Sequence, residues 1–440
     1  MKRVLILTLI SLFSMHLCGQ EQMDKNKLDH YFDQLDAHKQ FMGTVLVSKS
    51  DQIIYNRSIG YADIDSQTKN QLESKYRIGS ISKTFTSVLI FKAIEEGNLS
   101  LTTPIAEFFL DFPNGNNITI DHLLSHSSGL GNYTNREDYN HYFNREFTRE
   151  DMVKLIANLD TQFYPGVNQA YSNSNYLLLT YILEDIYDTS FAKLFQAKIS
   201  NPFNLKATYV ETVDSQNTGL SKGYKFSKSY NLSDLTSPSV LLGAGGIIST
   251  ASDLLSFSKQ LFNKALVEQN SLAAMTPQGK PIGRGLLVIP FYEYLGLGHA
   301  GSIDGNTSLL AYFEDSDLTV VVLSNGAEMN VNDVNIAVLS AFYGKEINLP
   351  NFSTVNVDSA VFEKLTGVYS SSVLPLKFTI TVEEEVLTAR LEGQPSFPLT
   401  PLSETAYVYR SAGVEIVFNP QENSLLLKQS GMKIPFVKPD

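Results

Sequence analysis

Residues 76–87 read YRIGSISKTFTS and place two serines within three residues of one lysine. A serine at a helix start with a lysine one turn later could act as nucleophile and proton acceptor, because backbone N–H groups there stabilise developing negative charge. Ser80 has this spacing to Lys83, whereas Ser82 does not. The spacing alone is not selective, because Ser-x-x-Lys begins at five positions: Ser66, Ser80, Ser190, Ser256 and Ser430.

Two further motifs favour Ser80 over the other four serines. Tyr171-Ser-Asn173 follows a Pro-Gly turn and leads into YLLLTYIL, an apolar run that predicts a helix. The pattern His-x-Gly occurs once in the chain, at His299-Ala-Gly301, between segments that alternate like strands. Each motif is weak by itself, and their combination indicates a catalytic site.

In this order and spacing, the three motifs resemble those of the serine hydrolases of the class C β-lactamase and D-alanyl-D-alanine carboxypeptidase family. This penicillin-binding protein-like family also includes esterases and D-aminopeptidases. The segments DHLLSHSSGL, PGVNQAYSNSNYLLL, GAGGIISTASDL and GHAGSIDGN also look like landmarks of the family. The resemblance therefore extends through most of residues 30–345.

The resemblance implies that Ser80 is the nucleophile, that Lys83 and Tyr171 share the proton transfers, and that Asn173 contacts the substrate. Either Lys83 or Tyr171 could be the general base, because burial and nearby positive charge can lower the pKa of each. The oxyanion hole would combine the backbone N–H groups of Ser80 and Ser302, which follows Gly301. No cofactor is implied, and the seven histidines show no spacing typical of a metal site.

His299 departs from the family's β-lactamases, which usually carry Lys-Thr-Gly at the position of His-Ala-Gly. A lysine gives a substrate carboxylate a fixed charge, whereas we expect the imidazole to titrate between about pH 6 and 8. This difference disfavours an efficient β-lactamase, and a structural His299 bonded to backbone is an equal alternative. We predict that His126 is structural and that Gly245-Gly246 permits close backbone packing near the site.

The elements that must position these residues follow from periodicity. Residues 25–40 predict a helix, and TVLVSKSDQIIYNRSIGYAD predicts two strands joined across residues 49–52. A helical pattern from Ser80 onward ends at Gly97, a typical C-terminal cap. Thr148 and Thr250 begin helix-start boxes. Strands return at residues 285–289 and in LLAYFEDSDLTVVVLSN, with a turn at 315–317, before a helix over 332–342.

This order predicts an α+β fold in which a β-lactamase/transpeptidase-like antiparallel sheet has flanking helices and a helical subdomain. We assign residues 20–347 to this domain and residues 348–358 to a linker. Six short alternating runs after residue 359 predict a small antiparallel β-barrel over 359–440. The barrel is loosely similar to the lipocalin-like domains that some family members append.

Composition limits the partners and the compartment. The chain of 440 residues is 43% hydrophobic, and its net charge of −12 without a basic block argues against a nucleic-acid partner. Lys2 and Arg3, an apolar run over residues 4–13 and Gly19 predict a signal peptide over residues 1–19 and export to the periplasm or the outside. A lipoprotein acylated at Cys18 is the alternative. Past the leader, no apolar run approaches membrane-spanning length.

The sequence thus predicts an exported serine hydrolase that acts through an acyl-enzyme on Ser80. We expect a D-Ala-D-Ala carboxypeptidase or a β-lactamase-related peptidase with a small-molecule or peptide substrate. A carboxylesterase or D-aminopeptidase of the same family is an alternative. A non-hydrolytic receptor for cell-wall peptides is an alternative of another class, and it would not need Ser80, Lys83, Tyr171 and Asn173 together. The oligomeric state is left open.

Overall fold

The computed structural model describes residues 23–50, 52–280, 282–350, 352, 354–429 and 432–438. The predicted signal peptide and Cys18 lie outside these described residues. Across the described residues, no helix has both the length and the apolar character needed to cross a bilayer.

An antiparallel sheet forms the centre of the larger part of the chain, as predicted, and six described strands build it. The N-terminal hairpin completes a sheet whose other strands come from the end of this part, because Phe41–Lys49 pairs with Leu318–Ala327. Both strands are buried almost throughout, since helices cover both faces. In sheet order the strands are Leu287–Phe291, Tyr294–Ile303, Asn306–Phe313, Leu318–Ala327, Phe41–Lys49 and Gln52–Ile59.

Alternate residues of the central strands enter two hydrophobic cores. Val320 and Val322 pack against helices Lys25–Ala37 and Val331–Phe342, whereas Val321 and Leu323 face the helical subdomain. The two faces therefore carry different helices. The described α-helices are Lys25–Ala37, Ser82–Glu95, Ile120–Leu124, Arg149–Ala157, Asn173–Tyr187, Phe191–Phe195, Leu242–Gly245, Ala251–Phe262, Gln269–Met275, Val331–Phe342 and Ser359–Leu365.

Helix Ser82–Glu95 lies inside the helical subdomain. It packs against helix Asn173–Tyr187 and the short helix Leu242–Gly245. Eleven of its residues are buried, including the polar Ser82, Lys83 and Thr86. The helix is therefore buried on all faces, unlike an amphipathic helix, which buries only one. A 3₁₀ turn, Gly79–Ile81, precedes it and holds Ser80.

The local start and stop signals were predicted correctly. Gly97 follows the end of the helix with φ of +77°. The side chain of Thr148 caps helix Arg149–Ala157, and that of Thr250 caps helix Ala251–Phe262. These signals depend on residues within one turn, which is why sequence alone identifies them.

Short strand pairs connect the loops around the sheet. Strand Ile247–Ser249 pairs with Tyr76–Arg77 on one side and with Tyr209–Val210 on the other. The segment before Ser80 is thereby connected to two segments that are distant in sequence. The remaining short pairs are Tyr61–Asp63 with Thr68–Lys69 and Tyr224–Ser227 with Ser229–Leu232.

The C-terminal stretch forms a nearly closed antiparallel sheet of nine described strands. The six predicted runs are all strands, whereas helix Ser359–Leu365 and three short strands were not predicted. The two edge strands are separated in sequence only by Leu399, and each contains a proline, which suits an edge because proline donates no ladder hydrogen bond. In sheet order the strands are Phe397–Pro398, Val386–Leu391, Lys377–Glu383, Gly367–Ser370, Met432–Val437, Ser424–Gln429, Val414–Asn419, Ala406–Tyr409 and Thr400–Pro401.

This barrel has a hydrophobic core of its own and contacts the larger part away from Ser80. The backbone N–H of Asn330 donates to the carbonyl of Arg410 in the barrel at 2.9 Å, and in the linker the ring of Phe352 lies 4.6 Å from that of His38. Both contacts lie near helices Val331–Phe342 and Lys25–Ala37, on the sheet face opposite the helical subdomain.

We predict that a protease cuts first within residues 344–358, whose described positions contain no helix or strand after Gly344. A chain ending at residue 350 should remain folded, because the barrel core and the two other cores share no residue. Limited proteolysis with mass analysis, followed by circular dichroism of the truncated chain, measures both. Insoluble truncated protein would show that the barrel is needed for folding.

Candidate functional site

The side chain of Lys83 is fully buried beside Ser80. Its Nζ donates to Ser80 Oγ at 3.0 Å, to Asn173 Oδ1 at 2.8 Å and to the Ala244 carbonyl at 2.6 Å. Because a lysine ammonium has three donors, these contacts use its full capacity. The Nζ atom is thus held at one point, within hydrogen-bond distance of the Ser80 hydroxyl.

Burial lowers the pKa of Lys83 well below its usual value of 10.5. None of its three oxygen partners is a carboxylate, so no paired negative charge offsets the desolvation of the ammonium. A lysine in this environment can be a neutral amine at moderate pH. A neutral amine keeps two N–H donors, for Asn173 Oδ1 and the Ala244 carbonyl, and its lone pair, 3.0 Å from Ser80 Oγ, can accept the serine proton.

Tyr171 lies beside this amine, with its ring centroid 4.9 Å from Lys83 Nζ. Burial raises the pKa of Tyr171, and interaction with the Ser80 side chain offsets part of that rise. The phenol therefore holds its proton at moderate pH. The two candidate bases are shifted in opposite directions, and only the pKa of Lys83 moves toward neutrality.

His126 supports the ring of Tyr171, as a structural role predicts. The two rings stack with centroids 4.3 Å apart and an interplanar angle of 24°. His126 Nδ1 accepts the backbone N–H of Ser172 at 3.1 Å, and burial, with repulsion from Lys83, lowers the pKa of His126 well below 6.5. The imidazole is therefore a neutral platform that fixes the Tyr171 backbone and ring.

Asn173 begins helix Asn173–Tyr187, and both ends of its side-chain amide are bonded. Its Oδ1 accepts from Lys83, and its Nδ2 donates to Thr134 Oγ1 at 3.0 Å. Asn132 Oδ1 accepts both the Asn173 backbone N–H at 3.1 Å and the Thr134 hydroxyl at 2.9 Å. This orients the amide and leaves its second N–H for a substrate carbonyl. Sequence analysis did not identify Asn132 or Thr134.

The Ala244 carbonyl reaches Lys83 because Gly243 packs tightly between two helices. A Cβ on Gly243 would lie 2.4 Å from Thr86 Oγ1 and 2.5 Å from Thr180 Oγ1. The prediction that Gly245-Gly246 permits close packing is wrong for Gly245, because a Cβ there would meet its nearest atom, on Leu241, at an ordinary 3.6 Å. It is correct for Gly246, where a Cβ would lie 3.0 Å from the backbone nitrogen and carbonyl oxygen of Leu242. Glycine types in a GAGG run do not reveal which of them has a close neighbour.

Two glycines bring strand Tyr294–Ile303 against the turn that holds Ser80. A Cβ on Gly301 would lie 2.1 Å from the Ile78 carbonyl and 2.8 Å from the Ser80 nitrogen. Gly79, with φ of +50°, has the Ser302 nitrogen at 2.8 Å from its own Cβ position. The backbone nitrogens of Ser80 and Ser302 therefore lie on two directly apposed segments, an arrangement that can supply both donors of an oxyanion hole.

His299 is buried on the same strand, with 3% of its surface exposed. Its Nδ1 lies 2.6 Å from the Ala300 carbonyl, which can only accept, so Nδ1 carries the proton and Nε2 is an acceptor. Burial, with repulsion from Lys83, lowers the pKa of His299 to about 3. The expectation that it titrates near neutral pH is therefore wrong, because a buried imidazolium close to Lys83 loses hydration and gains repulsion.

Comparisons with known proteins show similarity in sequence and in fold. A family model described as "Beta-lactamase" matches residues 28–343. Penicillin-binding protein 4* of Bacillus subtilis (strain 168) is 28% identical over 93% of this chain and 98% of its own length. An octameric penicillin-binding protein homologue from Pyrococcus abyssi has a TM-score of 0.68, 24% identity and coverage of 94% and 100% of the two chains. A D-amino acid amidase from Ochrobactrum anthropi SV3, complexed with D-phenylalanine, has a TM-score of 0.64 at 22% identity, over 72% of this chain and 99% of its own.

We predict that Gly301→Ala removes activity and lowers the free energy of unfolding by more than about 2 kcal/mol, because its Cβ would overlap backbone atoms. Gly245→Ala is the matched control. It should fold with unchanged or slightly higher stability, because its Cβ has room and alanine suits a helical position. Urea unfolding and a hydrolysis assay measure both. An active Gly301→Ala variant would contradict the close approach.

Proposed function

Because the chain belongs to the beta-lactamase family and is a serine hydrolase, we propose that it cleaves D-amino-acid amides or esters through an acyl-enzyme on Ser80. The sequence favoured a D-Ala-D-Ala carboxypeptidase, with esterase and D-aminopeptidase activity as alternatives. The neutral His299 moves the preference to substrates that present no carboxylate at this point of the site.

Lys83 is the general base of the proposed reaction. The Ser80 Oγ attacks the substrate carbonyl carbon while its proton moves to the neutral Lys83 Nζ, 3.0 Å away. The carbonyl π electrons become the oxyanion. When the tetrahedral intermediate collapses, the bond to the leaving amine or alcohol breaks and that group takes a proton from the Lys83 ammonium. Water then repeats the sequence on the acyl-enzyme and releases the acid.

Tyr171 stays protonated in this scheme. Its raised pKa makes it a hydrogen-bond donor rather than a base, and its interaction with Ser80 supports a role in which it donates a hydrogen bond during the transfer of the leaving-group proton. The stacked His126 holds the ring in this position. Asn173 connects Lys83 to the substrate, since its free N–H can bind the acyl amide carbonyl.

The substrate class follows from the charges on the strand beside Ser80. His299 offers a neutral ring with an acceptor at Nε2 and no positive charge at neutral pH. An acceptor suits a substrate N–H or O–H, whereas a carboxylate would be repelled by its lone pair. The amidase with the same fold is named for D-amino acids, which supports a D-amino-acid acyl group, and it is known in complex with D-phenylalanine, L-phenylalanine and L-phenylalanine amide.

One observation carries the proposal: Lys83 is fully buried in hydrogen-bond contact with Ser80, and its acceptors among the described residues include no carboxylate. Burying a lysine is costly unless it is neutral or paired. A purely structural position would be better filled by an apolar residue. A proton acceptor for Ser80 gives this burial a function.

We predict that Ser80 carries the acyl group. A fluorophosphonate probe, and D-phenylalanine p-nitrophenyl ester with rapid acid quench, should add one adduct that peptide mapping places on Ser80. Ser80→Ala should lose the adduct and at least about a thousandfold in kcat/KM. The matched control is Ser82→Ala, because the buried Ser82 Oγ accepts the Ile247 backbone N–H and does not face Lys83 in this scheme. It should keep the adduct.

An adduct at another serine would disprove the assignment. Binding of a D-amino-acid amide by the folded protein without turnover or adduct would instead support the receptor alternative. These outcomes are separated by intact-mass analysis and by calorimetric titration on the same preparation.

We also predict that His299 contributes no change of charge in the neutral pH range. An acyl-D-Ala-D-Ala peptide and its C-terminal amide differ only in the carboxylate. Their kcat/KM values should keep a constant ratio between about pH 5 and 9, because the pKa of His299 is about 3 and its imidazole stays neutral. The amide should be the better substrate. His299→Gln, which is neutral at every pH, should give the same constant ratio. A ratio that falls through about pH 6 to 8 in wild type alone would show that His299 titrates there.

A further inference from the structure

A buried arginine joins the two segments that hold Ser80 and Ser302. Arg77 Nη1 donates to Asp304 Oδ2 at 2.9 Å, and its Nε and Nη2 donate to the two carboxylate oxygens of Glu211 at 2.9 and 2.6 Å. The side chains of all three are at most 6% exposed. Sequence analysis did not single out any of them.

The positions of Arg77 and Asp304 in the chain make this contact informative. Arg77 ends the strand Tyr76–Arg77, three residues before Ser80, and Asp304 follows strand Tyr294–Ile303, two residues after Ser302. The ion pair therefore connects the segment that leads to one proposed oxyanion donor with the turn that follows the other.

We propose that Arg77 and Asp304 are a positioning pair that sets the separation of the Ser80 and Ser302 backbone N–H groups. The inference rests on the proposed function, because it takes these two groups as the oxyanion donors. Neither side chain is assigned a contact with substrate. Their effect would pass through the backbone that they hold together.

The contacts around Asp304 suit this role. Its Oδ1 accepts the Thr236 hydroxyl at 2.7 Å, and its Oδ2 also accepts the Thr236 backbone N–H at 2.9 Å, so the carboxylate is held from two sides. A second tie runs beside it, where Ser308 Oγ donates to the Ile78 carbonyl at 2.7 Å. Gly79 and Gly301 allow the segments to approach but do not hold them together. Bonds between charged groups are short and directional, and they can supply that hold.

A purely stabilising role is the competing explanation. It is the weaker one, because desolvation of buried charges often cancels the gain from pairing them, so that apolar residues would stabilise equally well. Catalysis by an oxyanion hole depends steeply on donor position, and an error of about 1 Å in placement can cost on the order of a hundredfold in rate.

The test is Asp304→Asn in the full chain. The asparagine keeps the shape and can still accept from Thr236, and Arg77 remains neutralised by Glu211, so no uncompensated charge is buried. We expect kcat per titrated active site to fall roughly 10- to 100-fold with KM changed less than about threefold. The affinity for a boronic acid, whose tetrahedral adduct resembles the intermediate, should fall by a similar factor.

Asp253→Asn is the matched control. Asp253 Oδ2 likewise accepts a backbone N–H, from Ala207, and a threonine hydroxyl, from Thr208, each at 2.8 Å. It lies at the start of helix Ala251–Phe262 and is not part of the site. This variant should lose stability without losing kcat per active site or boronic acid affinity.

An Asp304→Asn variant with a lower melting temperature but wild-type kcat and boronic acid affinity would overturn the inference. If Asp304→Asn does not fold, Arg77→Lys tests the inference by the same two measurements. Lysine keeps the positive charge but loses the planar guanidinium that bonds Glu211 and Asp304 together. Fluorophosphonate labelling separates this inference from the proposed function. Wild type without an adduct on Ser80 would refute the function, whereas labelled variants with unchanged kinetics refute only the positioning pair.

Discussion

The site depends on one buried amine and the three oxygens around it. Lys83 Nζ contacts Ser80 in the turn before its own helix, Asn173 at the start of a second helix and Ala244 in a short third helix. Each contact requires one of these elements to be placed to within a few tenths of an ångström. The packing of the helical subdomain around helix Ser82–Glu95 is therefore also the packing that suits Lys83 to the base role that we propose for it.

The same burial acts on every titratable ring nearby. Desolvation lowers the pKa of His126 and His299, and the proximity of Lys83 lowers both further, while desolvation raises the pKa of Tyr171. The result is a site in which each of these groups is neutral at moderate pH. In such a site Ser80 can lose its proton to a neutral acceptor, with no charged pair formed before the substrate is attacked. The site also presents no permanent cation to a substrate carboxylate.

The approach of the central sheet to the Ser80 turn is a second constraint, and it is steric. Gly79 and Gly301 leave space for two backbones to meet, and the Arg77–Asp304 pair and the Ser308 bond to Ile78 hold them there. The glycines leave room because they have no side chain, and the polar contacts supply the attraction. Two backbone segments need both to stay in close contact. The barrel is attached on the opposite face of the sheet, so its docking leaves this junction unobstructed.

Sequence by itself determined the parts of this protein that depend on neighbours along the chain. Caps at Thr148 and Thr250, the stop at Gly97 and the six alternating runs of the barrel follow from local geometry, and the three motifs indicated the family. Only the tertiary structure decided the contacts of Lys83 with Asn173 and Ala244, the orientation of Asn173 by Asn132 and Thr134, and the neutral state of His299. These depend on contacts between segments far apart in sequence and on the water that packing excludes, and neither periodicity nor spacing encodes them. Gly243 and Gly245 show the difference: they look alike in GAGG, and only their distances to Thr86 and Leu241 distinguish them.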